Sequence, residues 1–251
     1  MSAKDIKSNT LVLIKICTIQ SAEGPELDLF EREIQILQYM KKKKVRIVTE
    51  MKENFMVASE YGFIVMKHCV NDLYNFALSS NWKIPQPQVR QIFKNLCIVV
   101  KELHAIGIAH LDLRLENVLF DKKGKMKLGD FRCSFICKSN QSRFVGQSFD
   151  IPKVCVDELN QRSTKNYTAP EVFDSVPSVF NPFLADIYSI GVILHVLLTG
   201  LFPNRCNLEY ARDTLPESCY LLLSSILRDA PTERLSLDQI LSHHWVKSKS
   251  S

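Results

Sequence analysis

The sequence predicts an α+β protein with two lobes, a small β-rich lobe over about residues 1–68 and a larger, mainly helical lobe over about residues 70–246. Short aliphatic and β-branched runs, which are typical of strands, dominate the first lobe. Longer segments with apolar residues at helical spacing dominate the second. With 251 residues and 46% hydrophobic content, the chain can bury the core that two packed lobes need.

The N-terminal lobe is predicted to contain three strands and one helix. Leu11–Cys17 has the aliphatic composition of a strand, with a single lysine inside it. Glu26–Met40 places most of its apolar residues on one helical face. Arg46–Val57 and Phe63–His68 are the two further predicted strands, and a turn joins them.

The C-terminal lobe is predicted to be built from helices around one hairpin. Val118–Phe120 and Met126–Leu128 flank an Asp-Lys-Lys-Gly turn and form the hairpin. The segment Phe131–Tyr167 is polar and weakly periodic, and is predicted to be a long loop. Residues 247–251 are predicted to be a disordered tail. The predicted helices are Pro87–Ile106, Leu184–Thr199, Leu215–Leu227 and Leu235–His243.

Composition narrows the function classes. The net charge of +5 is mixed in sign and too small to indicate a nucleic-acid partner. The four lysines at 41–44 are interpreted as a solvated loop, with contact to an anionic membrane or nucleic acid as the alternative. No signal peptide and no apolar run of about 18 residues is evident, so no membrane span is expected. Eight cysteines without metal spacing favour a reducing, intracellular and cytoplasmic location.

One short stretch concentrates groups that suit phosphoryl transfer. Residues 110–121 read HLDLRLENVLFD, and Gly-Asp-Phe follows at 129–131. Asp112, Asn117 and Asp130 thereby lie within twenty residues of one another. Either piece alone is a weak signal, because H-x-D also occurs in turns and D-F at strand ends. Together, at hairpin spacing, they resemble the H-R-D-x-x-x-x-N and D-F-G motifs of eukaryotic protein kinases.

The resemblance runs from about Val12 to Trp245. VLIK at 12–15 resembles the V-A-I-K strand of that family, and YTAPE at 167–171 resembles the end of its activation segment. It implies a two-lobed protein-kinase fold that uses ATP and Mg²⁺ to phosphorylate protein.

The resemblance also implies roles for individual residues. Asp112 would be the catalytic base, and Asn117 and Asp130 would bind Mg²⁺. Lys15, paired with Glu33, would hold phosphates. The alternative for Lys15 is an ordinary lysine on an edge strand, and the alternative for Glu33 is a solvated residue on a helix surface. The expected further contacts to the nucleotide come from Lys67, Cys69 and Leu119.

Other matching positions favour serine or threonine as the acceptor. Arg114 lies where Ser/Thr kinases carry a lysine near the γ-phosphate, and Thr164 lies where they carry a threonine. Glu171 and Arg234 would form a buried structural ion pair. Asp186 would accept hydrogen bonds from the catalytic-loop backbone. His110 is interpreted as a packing residue rather than a base.

Four departures from the family bear on catalysis and its control. No glycine occurs before Lys15, where the family has a glycine-rich loop whose N–H groups bind phosphate. Losing two charge-assisted hydrogen bonds there would cost about 3–6 kcal/mol. Leu13 replaces the alanine over the adenine, Arg132 replaces the glycine after Asp-Phe, and Leu111 replaces the arginine that receives the activation-loop phosphate.

Two functions are therefore weighed from the sequence. The favoured one is ATP-dependent phosphorylation of serine or threonine in proteins, because all five positions that carry the chemistry survive. The alternative is a catalytically impaired pseudokinase that acts as a binding scaffold or allosteric partner. Without the arginine at 111, phosphorylation of the Phe131–Tyr167 loop is not expected to be a strict on-switch.

Overall fold

The structure of the protein is a computed structural model. It describes residues 1–21, 24–137, 147–161, 165–174 and 178–248.

The N-terminal lobe is a four-stranded antiparallel sheet with one helix against it. The strands are β1 (Ser2–Asp5), β2 (Thr10–Thr18), β3 (Met51–Val57) and β4 (Tyr61–Lys67), in the spatial order β1-β2-β4-β3. The helix, α1 (Pro25–Lys42), buries the face that its apolar periodicity predicted. Three of the strands were predicted from the sequence, and β1 is an addition to them.

The strand predicted from residue 46 begins later than expected. Val48 makes a parallel bridge to Leu128 of the helical lobe, and Thr49 N–H donates to the Leu128 carbonyl at 3.2 Å. These backbone groups are therefore used to join the two lobes, and β3 starts only at Met51.

The C-terminal lobe is mainly helical, as predicted. Its most central helix is buried along nearly its whole length, and its hairpin lies at the boundary with the N-terminal lobe. In chain order its elements are β5 (Asn71–Asp72), α2 (Leu73–Ser79), α3 (Gln86–Ala105), β6 (Ile108–Ala109), β7 (Val118–Phe120), β8 (Met126–Leu128), β9 (Phe135–Ile136), β10 (Phe149–Asp150), α4 (Lys153–Gln161), α5 (Pro170–Asp174), β11 (Val179–Phe180), α6 (Pro182–Thr199), α7 (Arg205–Thr214), α8 (Glu217–Ile226), α9 (Leu237–Ser242) and α10 (His244–Lys247).

The prediction of a structureless Phe131–Tyr167 loop was wrong for its described parts. β9 pairs with β6, β10 pairs with β11, and α4 packs on α1. Apolar side chains of this region and of neighbouring elements, among them α1, α5, β11 and α6, form a second core, called here the segment cluster. It consists of Leu29, Leu111, Cys133, Ile151, Cys155, Val156, Leu159, Ala169, Val172, Phe180 and Ala185.

Helix α6 is the one described helix that has the length and apolar composition of a membrane span, although no apolar run of that length was expected. Of its 18-residue window, 83% is buried inside the fold. Burial against α3 and α8 accounts for its apolar character, as in the central helix of a globular core.

Candidate active site

Lys15 and Glu33 form an ion pair across the N-terminal lobe. Lys15 lies on β2, and its Nζ donates to Glu33 Oε2 on α1 at 2.5 Å. Glu33 is only 1% exposed, so its role as a solvated helix residue is ruled out in this fold. Burial alone would lower the pKa of Lys15, but the charges of Glu33 and Asp130 outweigh it and raise that pKa. The lysine is therefore held as a cation.

The catalytic-loop residues are fixed by hydrogen bonds to the backbone. Asn117 Nδ2 donates to the carbonyl of Asp112 at 2.8 Å and to its Oδ2 at 3.1 Å. Asp186 accepts from the amides of His110 and Leu111, each at 2.7 Å, as expected. Its Oδ2 also lies 2.8 Å from His104 Nε2, a partner that the sequence did not reveal. The loop is thus held from inside the helical lobe.

His110 packs, as the sequence suggested. Its ring centroid lies 4.8 Å from that of Phe131, and its Nε2 lies 3.0 Å from the Gly129 carbonyl. The side chain is fully buried. It therefore supports the turn that carries Asp130 rather than facing a substrate.

Asp130 brings the two lobes together. It follows the β7–β8 hairpin in a left-handed conformation, with φ of +59°. Lys15 Nζ donates to its Oδ1 at 2.7 Å, and the next amide, Phe131 N–H, donates to Glu33 Oε1 at 3.3 Å. Strand β2, helix α1 and the turn at residue 130 thereby meet around one lysine.

Arg132 also forms an ion pair with the carboxylate of Asp130. Its Nε donates to Oδ1 and its Nη2 to Oδ2, both at 2.8 Å, which is a bidentate ion pair. Its Nη1 lies 3.5 Å from Glu158 Oε1 on α4. Burial alone would raise the pKa of Asp130, but Lys15 and Arg132 hold it well below its usual range. Glu158 was not among the residues predicted for the site, because it lies in the segment predicted to be a loop.

The predicted nucleotide contacts line the junction between the lobes. Lys67 ends β4 and is exposed, while Cys69 Sγ lies 4.0 Å from Thr49 Oγ1. Leu119 on β7 packs over Gly129, where an added Cβ would approach its Cδ1 to 2.8 Å. Glycine at 129 therefore lets Leu119 lie directly beside the turn of Asp130.

The remaining predicted site residues differ in where they lie. Arg114 Nε donates to Glu116 Oε2 at 3.1 Å, within the catalytic loop. Thr164 lies outside the described residues. Arg234 and Glu171 form the expected pair through two hydrogen bonds of 2.7 Å, and the Arg234 side chain is fully buried.

The side chains present fit Mg²⁺ in donor type. Because both amide hydrogens of Asn117 are engaged, its Oδ1 is the atom that it can offer to a metal. Asp130 is a carboxylate, the ligand type that Mg²⁺ prefers. Its two oxygens already accept three hydrogen bonds from Lys15 and Arg132, so a metal there would compete with the guanidinium.

The turn between β1 and β2 offers no phosphate cradle. It contains no glycine, and the amides of Lys7 and Ser8 already donate to Asp5 Oδ1 at 3.0 and 3.4 Å. Within the described part of the cleft, Lys15 is therefore the main group from the N-terminal lobe suited to hold phosphate.

Comparisons of the sequence with known proteins show its family. The sequence profile of the protein kinase domain matches residues 1–246, and the chain belongs to the protein kinase family. Members of this family generally use ATP and Mg²⁺. The division into lobes near residues 68–70 and the roles of the individual site residues stay predictions.

Its curated relatives are protein kinases, several of them named as serine/threonine-protein kinases. The chain is 32% identical over 217 residues to a probable cell cycle serine/threonine-protein kinase CDC5 homolog of Encephalitozoon cuniculi, with 80% of this chain and 42% of that protein covered. It is 29% identical to mouse testis-specific serine/threonine-protein kinase 1, with 95% and 66% covered, and 28% identical to rice CBL-interacting protein kinase 31, with 98% and 54% covered. The chain therefore spans less than two thirds of the length of these relatives.

Proposed function

We propose that this chain is an ATP-dependent protein kinase that transfers the γ-phosphate to serine or threonine hydroxyls of a protein. The observation that carries the proposal is the convergence on Lys15, whose Nζ is bonded to both Glu33 and Asp130. Asp112 and Asn117 are bonded to each other in the neighbouring loop. The Ser/Thr kinase relatives support serine or threonine as the acceptor.

The proposed chemistry is a direct transfer. Asp112 accepts the proton of the substrate hydroxyl while that oxygen bonds to the γ-phosphorus. The bond between the γ-phosphorus and the bridging oxygen breaks, and ADP leaves. Lys15 holds the phosphates with its positive charge, and Arg114 contributes a second cation near the acceptor. When bound, Mg²⁺ would neutralise phosphate charge. Asn117 and Asp130 are the side chains that would hold it, and at Asp130 it would have to displace one of the two hydrogen bonds from Arg132.

Phosphate transfer from radiolabelled ATP to the protein itself and to a basic protein substrate tests this proposal. Asp112→Asn keeps the shape of the side chain and removes the base, so transfer should fall by at least about 10²-fold. Asp238→Asn, at an exposed pair with Lys101 far from the cleft, is the matched control and should transfer as the wild type does. Equal transfer by wild type and Asp112→Asn would refute the assignment.

A pseudokinase is the second candidate function, and the Arg132–Asp130 pair favours it. The guanidinium holds both carboxylate oxygens that a kinase needs for its metal. Absence of transfer from folded wild-type protein, with Asp112→Asn indistinguishable from it, would support this alternative. A protein substrate is part of the proposed kinase function. The intracellular, cytoplasmic location of the protein stays a prediction.

A further inference from the structure

Arg132 pairs with the carboxylate of Asp130, which also contacts Lys15 of the N-terminal lobe. Its Nε and Nη2 atoms, called here the fork of Arg132, donate to both oxygens of Asp130 at 2.8 Å, and Lys15 Nζ donates to Oδ1 at 2.7 Å. A carboxylate offers about four lone-pair positions, and three are used by these two cations. Planar bidentate pairing is the strongest geometry open to an arginine and a carboxylate.

The fork is held in place from behind by helix α4. Glu158 Oε1 lies 3.5 Å from Arg132 Nη1, and Cys155 Sγ lies 3.9 Å from the Arg132 carbonyl. Cys155 also belongs to the segment cluster, which joins α4 to Leu29 of α1. Both the backbone and the guanidinium of Arg132 are thereby tied to a packed helix, so the cation is in place before any ligand binds.

The charge balance of the cleft depends on this residue. Glu33, Lys15 and Asp130 together carry a net charge of −1, which would repel a triphosphate. Arg132 brings the sum of these four groups to zero. Glu158 adds a negative charge beside Nη1 of the guanidinium; its side chain is 25% exposed and that of Arg132 is 30% exposed, so solvent screens both charges in part.

From this arrangement we propose that Arg132 takes the place of a divalent cation on Asp130, so that the cleft binds a nucleoside triphosphate without Mg²⁺. The inference rests on the nucleotide binding of the proposed function but does not require phosphate transfer. One guanidinium supplies a fixed positive charge where a metal would otherwise have to be recruited. A divalent ion would have to displace one arm of the fork, and its addition therefore brings little gain in affinity.

Isothermal titration of the protein with ATP, in EDTA and in Mg²⁺, tests the inference. The dissociation constants of the wild type should agree within about threefold. Arg132→Ala leaves the triad negative and the carboxylate open, so its binding in EDTA should weaken at least about tenfold and recover with Mg²⁺. Arg212→Ala, at an exposed arginine of α7, is the matched control and should behave as the wild type.

A second variant tests whether a loss of binding in Arg132→Ala comes from misfolding. Arg132→Lys keeps the charge without the fork and should show a metal dependence between those of wild type and Arg132→Ala. Thermal unfolding of each variant without ligand checks that it is folded. If Arg132→Ala does not fold, the inference is still tested by the ratio of the dissociation constants in EDTA and in Mg²⁺, measured for the wild type and for Arg132→Lys.

The outcomes separate this inference from the proposed function. Wild-type binding that is tenfold or more weaker in EDTA overturns the inference, as does an alanine variant that matches the wild type. Metal-free binding without phosphate transfer leaves the inference standing and refutes the kinase activity. No binding in either condition refutes both the inference and the ATP dependence of the proposed function.

Discussion

Leu111→Ala should destabilise the protein severely, although the family that it resembles has a phosphate-binding arginine at this position. Leu111 is 4% exposed and packs in the segment cluster with Val156 and Leu159 of α4. Removing the side chain beyond Cβ loses roughly 2–3 kcal/mol at about 0.8 kcal/mol per buried carbon group. The cavity left behind raises the loss to about 3–5 kcal/mol. Leucine and alanine are both strained at the φ of +64° that residue 111 adopts, so backbone strain does not contribute to the difference in stability between the wild type and the variant.

Urea unfolding followed by circular dichroism measures this loss as a change in the free energy of unfolding. Leu221→Ala, at a leucine that is 50% exposed on α8, is the matched control and should change that free energy by less than about 0.5 kcal/mol. Leu111→Met conserves volume and should cost less than about 1.5 kcal/mol. Equal losses for Leu111→Ala and Leu221→Ala would refute the reasoning that the segment cluster anchors α4.

Three further predictions concern a buried ion pair, the titration of Asp130 and the hydroxyl groups of the activation segment. Glu171→Gln strands the fully buried Arg234 and should cost about 3–5 kcal/mol in urea unfolding, whereas Asp213→Asn in an exposed pair should cost at most about 1 kcal/mol. Because the folded pKa of Asp130 is depressed, its contribution to stability is full above the unfolded value near 3.8 and is lost as pH falls below it; Asp130→Asn should therefore flatten the acid limb of a stability–pH curve. Single alanine variants that remove hydroxyls from the activation segment should keep most of the proposed phosphate transfer, and a large loss in any of the first four would contradict this: Ser139, Ser142, Ser148, Ser163 and Thr164.

Much of the fold was predictable because its signals are local. The face of α1 repeats at helical spacing over eighteen residues, and the β7–β8 hairpin has its own turn residues, with Gly124 at φ of +71°. Such elements are specified by their own sequence. Lys15 pairs with Glu33 as the kinase motifs implied, and it also contacts Asp130, which the sequence did not predict.

Helix α4 could not be predicted in the same way. Its nine residues are too few to form a stable helix alone, and its apolar side chains gain their stability from Leu29 of α1 and Leu111, which are distant in sequence. The pairing of Arg132 with Asp130 was not predicted either, for a different reason. The substitution of glycine was visible, but the sequence does not tell whether an arginine side chain turns toward a carboxylate two residues earlier or toward solvent; here it pairs with Asp130 at 2.8 Å and also lies 3.5 Å from Glu158.

The path Glu33–Lys15–Asp130–Arg132–Glu158 alternates in charge from α1 to α4. A protein that docks against α4 and a nucleotide that contacts Lys15 would thus act on the same chain of contacts. Thermodynamic reciprocity requires each to alter the affinity of the other by an equal factor. A docking partner that tightens nucleotide binding tenfold must itself bind the loaded protein tenfold more tightly, and the two share about 1.4 kcal/mol of coupling.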